Sequence, residues 1–166
     1  MKKRISFTLD KELLDQINES FENSNVAVVL AGGNPKKLKR RWKFKFLIPV
    51  KNKKTLLDFL FEKLEGFGKI FIVGQKEVID ACFEKIGNKN GTADVEYIEE
   101  RKELGNAKTL ELVKDKVPDR FLILPIDQYY EFDFVDLLKK HALNSTIYKN
   151  AVTCAVAPFS TREKYG

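Results

Sequence analysis

The sequence predicts an α/β fold with a mostly parallel, Rossmann-like sheet, and three observations support this prediction. Short β-branched and aromatic runs of strand length alternate along the chain with longer segments of helical periodicity. The 166 residues are enough to bury the core of one ordinary domain. The composition, 43% hydrophobic and 33% charged, is that of a globular chain. Strict alternation of this kind indicates a parallel sheet with helices on both faces.

Five segments have the composition of buried strands. Each is short, rich in β-branched or aromatic residues, and separated from the next by a polar or helical stretch. They are residues 26–31 (VAVVLA), 69–74 (KIFIVG), 94–98 (DVEYI), 120–126 (RFLILPI) and 151–157 (AVTCAVA).

Four segments between and after these strands show the spacing of amphipathic helices. In the first, Leu56, Leu57, Leu60 and Leu64 share one face, and the last opens with Asp133, a good N-cap residue. The segments are residues 55–67, 76–87, 106–117 and 133–144.

Polar and glycine-rich residues follow the predicted strands. Gly32 and Gly33 come after the first strand, Gly74 ends the second, residues 99–105 follow the third, and Asp127 follows the fourth. In parallel sheets, ligands bind outside the carboxyl ends of the strands. We therefore expect these residues to meet at one rim that binds a ligand.

Positive charge is concentrated in one region. The net charge is +6, no acidic residue occurs from Asn23 to Leu57, and ten of the nineteen positions from Lys36 to Lys54 are Lys or Arg. Such a run favours an anionic partner such as a phosphate, a nucleotide or DNA. A solvated basic loop that only aids solubility is the alternative.

The N-terminal residues 1–24 form a separate strand-helix arm in this interpretation. Ile5, Phe7 and Leu9 alternate with polar residues, and a helix opens at Asp10. The arm resembles the first strand and helix of ribbon-helix-helix DNA-binding proteins, although the second helix of that unit is missing. The resemblance implies DNA reading by Arg4, Ser6 and Thr8. The alternative is an arm that docks on the domain or dimerises it, and we expect a homodimer.

Four motifs occur in a fixed order from about Val26 onward. They resemble those of the nucleoside-triphosphate transferases that make nucleotide-sugars, with the molybdenum-cofactor nucleotidyltransferases as near relatives. The family motifs are L-A-G/A-G-x-G-T-R-L, P-K-P-L-L-P-V, L-G-T-A and a strand that ends in a metal-binding aspartate. The matching residues here are Leu30 to Gly33 with Leu38, Lys45 in FKFLIPV, Leu104 to Ala107, and Asp127.

This resemblance implies transfer of a nucleotidyl group from a nucleoside triphosphate to a sugar phosphate or similar phosphorylated acceptor, with release of pyrophosphate. Such chemistry depends on positioning and charge neutralisation. The implied roles are catalysis by Lys45 and Lys37, nucleotide binding by Ala31, Gly32, Gly33, Gly105 and Asn106, and Mg²⁺ binding by Asp127.

The sequence also departs from the family pattern. Pro35, Lys36 and Lys37 replace its G-T-R, so one backbone N–H is lost and a lysine replaces the arginine fork. We expect the domain, residues 25–166, to lack the family's C-terminal half. A second hypothesis therefore stays open: a DNA-binding or regulatory protein in which a degenerate nucleotidyltransferase domain senses a nucleotide.

Other functional classes are disfavoured. No apolar run approaches the roughly 20 residues of a membrane span, and the N-terminus lacks the apolar segment of a signal peptide, so we expect a cytoplasmic protein without membrane contact. Cys82 and Cys154 lack metal-site or disulfide spacing, and both are expected to be small core residues.

Overall fold

The computed structural model describes residues 11–22, 25–32, 44–102 and 104–155. Among these residues the main sheet has five strands: β1 (Val26–Ala31), β4 (Lys69–Gly74), β5 (Lys89–Asn90), β6 (Ala93–Glu99) and β7 (Leu122–Pro125). They lie in the order β5-β6-β4-β1-β7, and of these five only β5 is antiparallel to its neighbour. The predicted α/β fold with a mostly parallel Rossmann-like sheet is confirmed.

The strand order contains a switch point. From β1 the chain adds β4 and β6 on one side, and then crosses to place β7 on the other side. Ligands of open α/β sheets bind at such a point, outside the carboxyl ends of the two diverging strands. The crevice between the ends of β1 and β7 is therefore where the fold itself favours a site.

A small hairpin lies outside this sheet. It consists of β2 (Pro49–Lys51) and β3 (Lys54–Thr55), and a 3₁₀ turn at Lys45–Leu47 precedes it. Asn52 and Lys53, at its tip, have φ angles of 51° and 64°. Positive φ at both central residues is the geometry of a tight hairpin turn.

The described residues also contain five α-helices. The helix predicted to open at Asp10 is present in the arm and lies against the last helix, whereas the predicted strand before it, residues 4–9, lies outside the described residues. The helices are α1 (Lys11–Glu22), α2 (Leu56–Lys63), α3 (Lys76–Ile86), α4 (Asn106–Thr109) and α5 (Phe134–Tyr148). Asp133 caps α5 as predicted, since its carboxylate accepts a hydrogen bond from the Asp136 N–H.

Alternate residues of the strands enter two separate cores. On one face Val29 and Ile72 pack beneath α2, α3 and α5. On the other face Val28 and Phe71 pack against residues that follow α4, including the fully buried Val113. Both faces are covered, as the alternation of strands and helices predicts.

Three local predictions were wrong. Residues 151–155 form no strand but line a cavity of about 950 Å³ beside β7, and the Thr153 hydroxyl is 3.0 Å from His141 Nδ1. A segment with the composition of a strand forms one only where a neighbouring strand can pair with it.

The helix predicted over 106–117 is only α4 followed by a 3₁₀ turn at Leu110–Leu112, which directs Val113 into the core. Cys82 is buried as predicted, whereas Cys154 is exposed.

Candidate functional site

The candidate site lies at the switch point, where β1 and β7 end side by side. The backbone N–H of Ile126 donates to the carbonyl oxygen of Leu30 at 3.0 Å, which continues the pairing of these strands up to their carboxyl ends. Ala31, the last residue of β1, is buried, and Gly32 after it is exposed. Asp127 follows Ile126 directly, so it emerges beside the Gly32 turn.

Lys45 and Asp127 are brought together at this rim. Lys45 Nζ lies 3.8 Å from Asp127 Oδ2, and the two side chains are 55% and 43% exposed. Lys45 stands in the 3₁₀ turn between Phe44 and Phe46, whose buried rings stack 5.3 Å apart and fix its backbone. An ion pair this exposed contributes about 0–1 kcal/mol to stability, so it does little for the fold. It does place one cation and one carboxylate at the same point of the crevice.

Gly74 serves the sheet rather than the rim. A Cβ atom there would lie 2.7 Å from the carbonyl oxygen of Ala31, a distance that real Cβ atoms do not adopt. Glycine therefore allows β4 and β1 to approach each other at their ends. At Gly32, by contrast, a Cβ atom would meet among the described residues only Glu100 Oε2, at 3.9 Å, which is an ordinary contact distance.

Glu100 is a residue of the rim that sequence reasoning did not single out. It follows β6, is only 4% exposed, and its backbone N–H donates to Gly74 O at 2.8 Å. Its Oε1 accepts hydrogen bonds from the Leu104 N–H at 2.9 Å and from the Thr109 hydroxyl at 2.7 Å. The carboxylate thus holds the loop that contains Gly105 against the sheet. In the sequence Glu100 stands in the charged run EERKE, which gives no sign of burial.

Gly105 needs its glycine for a backbone reason. Its φ is 80°, and a Cβ atom there would have no other described residue within 4 Å apart from its chain neighbours. The positive φ is therefore the feature that favours glycine at this position. Asn106 directly follows and begins α4.

Tyr130 closes the segment that carries Asp127. It is buried, and its hydroxyl donates to the carbonyl oxygen of Pro125 at 2.8 Å. Burial, and next the charge of Asp127, raise the pKa of the Tyr130 phenol. The hydroxyl therefore stays protonated and remains a donor at ordinary pH.

The other predicted site residues are less informative. Gly33 and Lys37 lie outside the described residues, as does most of the basic segment that was predicted to bind DNA. Within residues 11–22, 25–32, 44–102 and 104–155 no group of three or more His, Cys, Asp or Glu side chains could hold a metal ion. A lone carboxylate such as Asp127 still suits Mg²⁺, which usually binds one or two carboxylates together with substrate phosphates.

No helix among the described residues is both long and apolar enough to cross a bilayer.

Sheet order and site position together define a Rossmann-like α/β protein, and comparison with known proteins gives its family. The model of the nucleotidyl transferase family matches residues 26–166. The chain therefore belongs to the nucleotidyl transferase family. A comparison with curated proteins found no match.

Two solved structures share the fold. One, from Bacillus anthracis, is assigned as a glucose-1-phosphate thymidylyltransferase and was crystallised with sucrose; it is 23% identical, with a TM-score of 0.61, over 69% of this chain and 49% of its own. The other is HddC from Yersinia pseudotuberculosis, 20% identical with a TM-score of 0.54, over 74% of this chain and 54% of its own. The match thus spans about half the length of each of these proteins.

Proposed function

We propose that this chain binds a nucleoside triphosphate with Mg²⁺ and transfers its nucleotidyl group to a phosphorylated acceptor such as a sugar phosphate. A phosphate oxygen of the acceptor forms a bond to the α-phosphorus, the bond from that phosphorus to the bridging oxygen breaks, and pyrophosphate leaves. The observation that carries this proposal is the Lys45–Asp127 pair at the switch point, in a chain of the nucleotidyl transferase family.

Lys45 is the proposed source of charge neutralisation at the reacting phosphate. Its side chain is 55% exposed, whereas the aromatic residues on either side of it are buried, so the ammonium group can face a ligand from a fixed backbone. Cations placed where negative charge develops are among the largest catalytic contributions. Lys37 is proposed as a second cation that contacts the polyphosphate.

Asp127 is the proposed Mg²⁺ ligand. This carboxylate would hold the ion, which would supply positive charge against the phosphates and the leaving pyrophosphate. Lys45 lies 3.8 Å from the same carboxylate, so both positive groups would act on one end of the nucleotide. The exposed Asp127 is open to such a ligand.

The remaining predicted residues are proposed to hold the nucleotide through backbone. Ala31, Gly32 and Gly33 would offer N–H groups to phosphate at the end of β1, where glycine permits close approach. Gly105 and Asn106 would face the ribose or base from the loop that Glu100 holds against the sheet. The acceptor would bind in the same crevice, beside the reacting phosphate.

Three further predictions stay predictions: DNA binding, the homodimer and the cytoplasmic location. Binding of DNA by the basic segment and the N-terminal arm depends mostly on residues outside those described. In the arm, the helix α1 lies against α5, which favours docking on the domain.

Titration calorimetry with ATP, CTP, GTP and UTP, each with Mg²⁺ and with EDTA, tests the proposal. We expect one triphosphate to bind more tightly with Mg²⁺, and Lys45→Ala to weaken that binding. Pyrophosphate release on addition of sugar phosphates then tests transfer. If none of the four triphosphates binds, the proposed function is wrong.

A further inference from the structure

The Asp127 carboxylate owes its position to the backbone. Among the described residues its side chain contacts a charged partner only at 3.8 Å, in the exposed pair with Lys45. No hydrogen bond among those residues orients it. A metal-binding carboxylate needs a defined orientation, since sites that are loose by about 1 Å bind and react poorly. The peptide groups before and after Asp127 must supply that definition.

Two hydrogen bonds fix this backbone, one on each side of the strand end. The Ile126 N–H donates to Leu30 O at 3.0 Å and ties the residue before Asp127 to β1. The Tyr130 hydroxyl donates to Pro125 O at 2.8 Å and ties the residue three positions after Asp127 back to β7. Asp127 therefore sits inside a loop that the Tyr130 hydroxyl closes.

The tyrosine ring is itself held firmly. Tyr130 is 9% exposed, and its ring packs edge-on against Phe134 at 5.3 Å and against Phe132 at 5.8 Å. Phe134 is the first residue of α5 and is almost fully buried. The hydroxyl thus connects the carbonyl of Pro125 to the hydrophobic core through a side chain with little freedom.

We propose that Tyr130 is a positioning residue for Asp127, whose hydroxyl fixes the turn that presents the carboxylate to a metal-bound nucleoside triphosphate. This inference rests on the proposed function. Groups that orient a metal ligand from outside the coordination shell commonly change metal affinity by about 10–100-fold. Tyr130 acts through Asp127 and touches no substrate.

Tyr130→Phe removes one oxygen atom and is the direct test. Tyr97→Phe is its matched control, because the Tyr97 hydroxyl also donates to a backbone carbonyl, that of Gly87, at 2.6 Å. Gly87 follows the C-terminal end of α3, at the edge of the sheet opposite the rim. Both variants lose a tyrosine-to-carbonyl hydrogen bond, and only one of these bonds lies beside Asp127.

The first assay is Mn²⁺ binding measured by electron paramagnetic resonance, with ATP, CTP, GTP or UTP present in turn. The second assay is binding of the same nucleotides in EDTA. We expect Tyr130→Phe to weaken the metal-dependent binding by about tenfold, as for other orienting groups. Nucleotide binding in EDTA should be unchanged, and Tyr97→Phe should match the parent protein in both assays. Equal losses in both assays, or no loss in either, would overturn the proposal.

A second variant separates positioning from stability. Phe132→Leu thins the same aromatic cluster without touching the hydroxyl, so it should lower the melting temperature and leave metal-dependent binding intact. If it weakens metal binding as much as Tyr130→Phe does at matched folded fraction, Tyr130 is only a structural residue. Asp127→Asn separates failure of the proposed function from failure of the Tyr130 proposal alone. If that variant binds the metal-nucleotide like the parent, the proposed function is wrong and so is the role of Tyr130.

Discussion

Two lysine–aspartate pairs in this molecule have the same chemistry and different environments. Lys85 Nζ lies 2.8 Å from Asp58 Oδ2, with the side chains 30% and 26% exposed, whereas Lys45 and Asp127 are 3.8 Å apart and more exposed. Asp58 also accepts hydrogen bonds from the N–H and the hydroxyl of Thr55, at 2.7 and 2.8 Å.

The difference separates a carboxylate used by the fold from one that is open to a ligand. Thr55 and Asp58 form a capping box at the start of α2, so Asp58 Oδ2 accepts hydrogen bonds from backbone and side-chain donors of the same protein. Asp127, by contrast, is presented at the end of a strand and contacts only one exposed cation among the described residues. A candidate ligand-binding carboxylate is therefore better recognised by its small number of hydrogen bonds within the protein than by the presence of an ion pair.

The largest expected effect is on nucleotide binding at the exposed Lys45–Asp127 pair. Asp127→Asn should weaken Mg²⁺-dependent nucleotide binding by more than about tenfold. Loss of a residue that only orients a metal ligand already costs about tenfold or more in metal affinity, and loss of the ligand itself should cost more. Its free energy of unfolding should change by less than about 1 kcal/mol, because the exposed pair stabilises little. Calorimetric titration and urea unfolding of the same preparation check both statements.

The same substitution in the Lys85–Asp58 pair should lower stability and leave nucleotide binding unchanged. Asp58→Asn should lower the free energy of unfolding by about 1–2 kcal/mol, since it removes a helix cap and a charge-assisted hydrogen bond. Nucleotide binding should match the parent. A stable Asp58→Asn protein with impaired binding would break the contrast between the two pairs.

The pH dependence of stability tests the role of Asp58 in the fold. Burial pushes the pKa of Asp58 upward, but hydrogen bonds from Lys85 and Thr55 outweigh it, and the pKa is lowered. Stabilisation from Asp58 is therefore present above the unfolded pKa, about 3.9, and is lost as the pH falls through the lower folded value. Chemical unfolding between pH 6 and pH 3 should show a steeper loss for the parent than for Asp58→Asn. Parallel curves would mean that Asp58 does not contribute this linkage.

The smallest effect is expected for the lysines. Lys85→Ala should lower the free energy of unfolding by about 0.5–1 kcal/mol, and Lys45→Ala by less, as exposure weakens an ion pair. Double-mutant cycles with Asp58 and Asp127 give the two coupling energies. A larger coupling for Lys45–Asp127 would contradict the view that this pair is open.

Much of the fold follows from local sequence signals, but such a signal does not form its element in every context. The runs at 26–31 and 69–74 are apolar on both faces of the strand, and this composition is stable only in a strand covered on both sides. Residues 151–157 carry the same composition, yet the described part of that segment lies beside β7 without pairing. Local composition identifies a strand, but the availability of a partner edge decides whether it forms.

The sequence by itself determined the α/β class, the rim at the strand ends, and the family motifs that contain Lys45 and Asp127. Tertiary structure alone decided which polar side chains are buried. Glu99 and Glu100 are adjacent residues of the same type, but only Glu100 is buried and holds the Gly105 loop. Tyr129 and Tyr130 are adjacent as well, and only Tyr130 is buried and bonded to Pro125. The physical reason is that desolvation and hydrogen-bond satisfaction depend on which neighbours the fold supplies, and a residue's type does not record them.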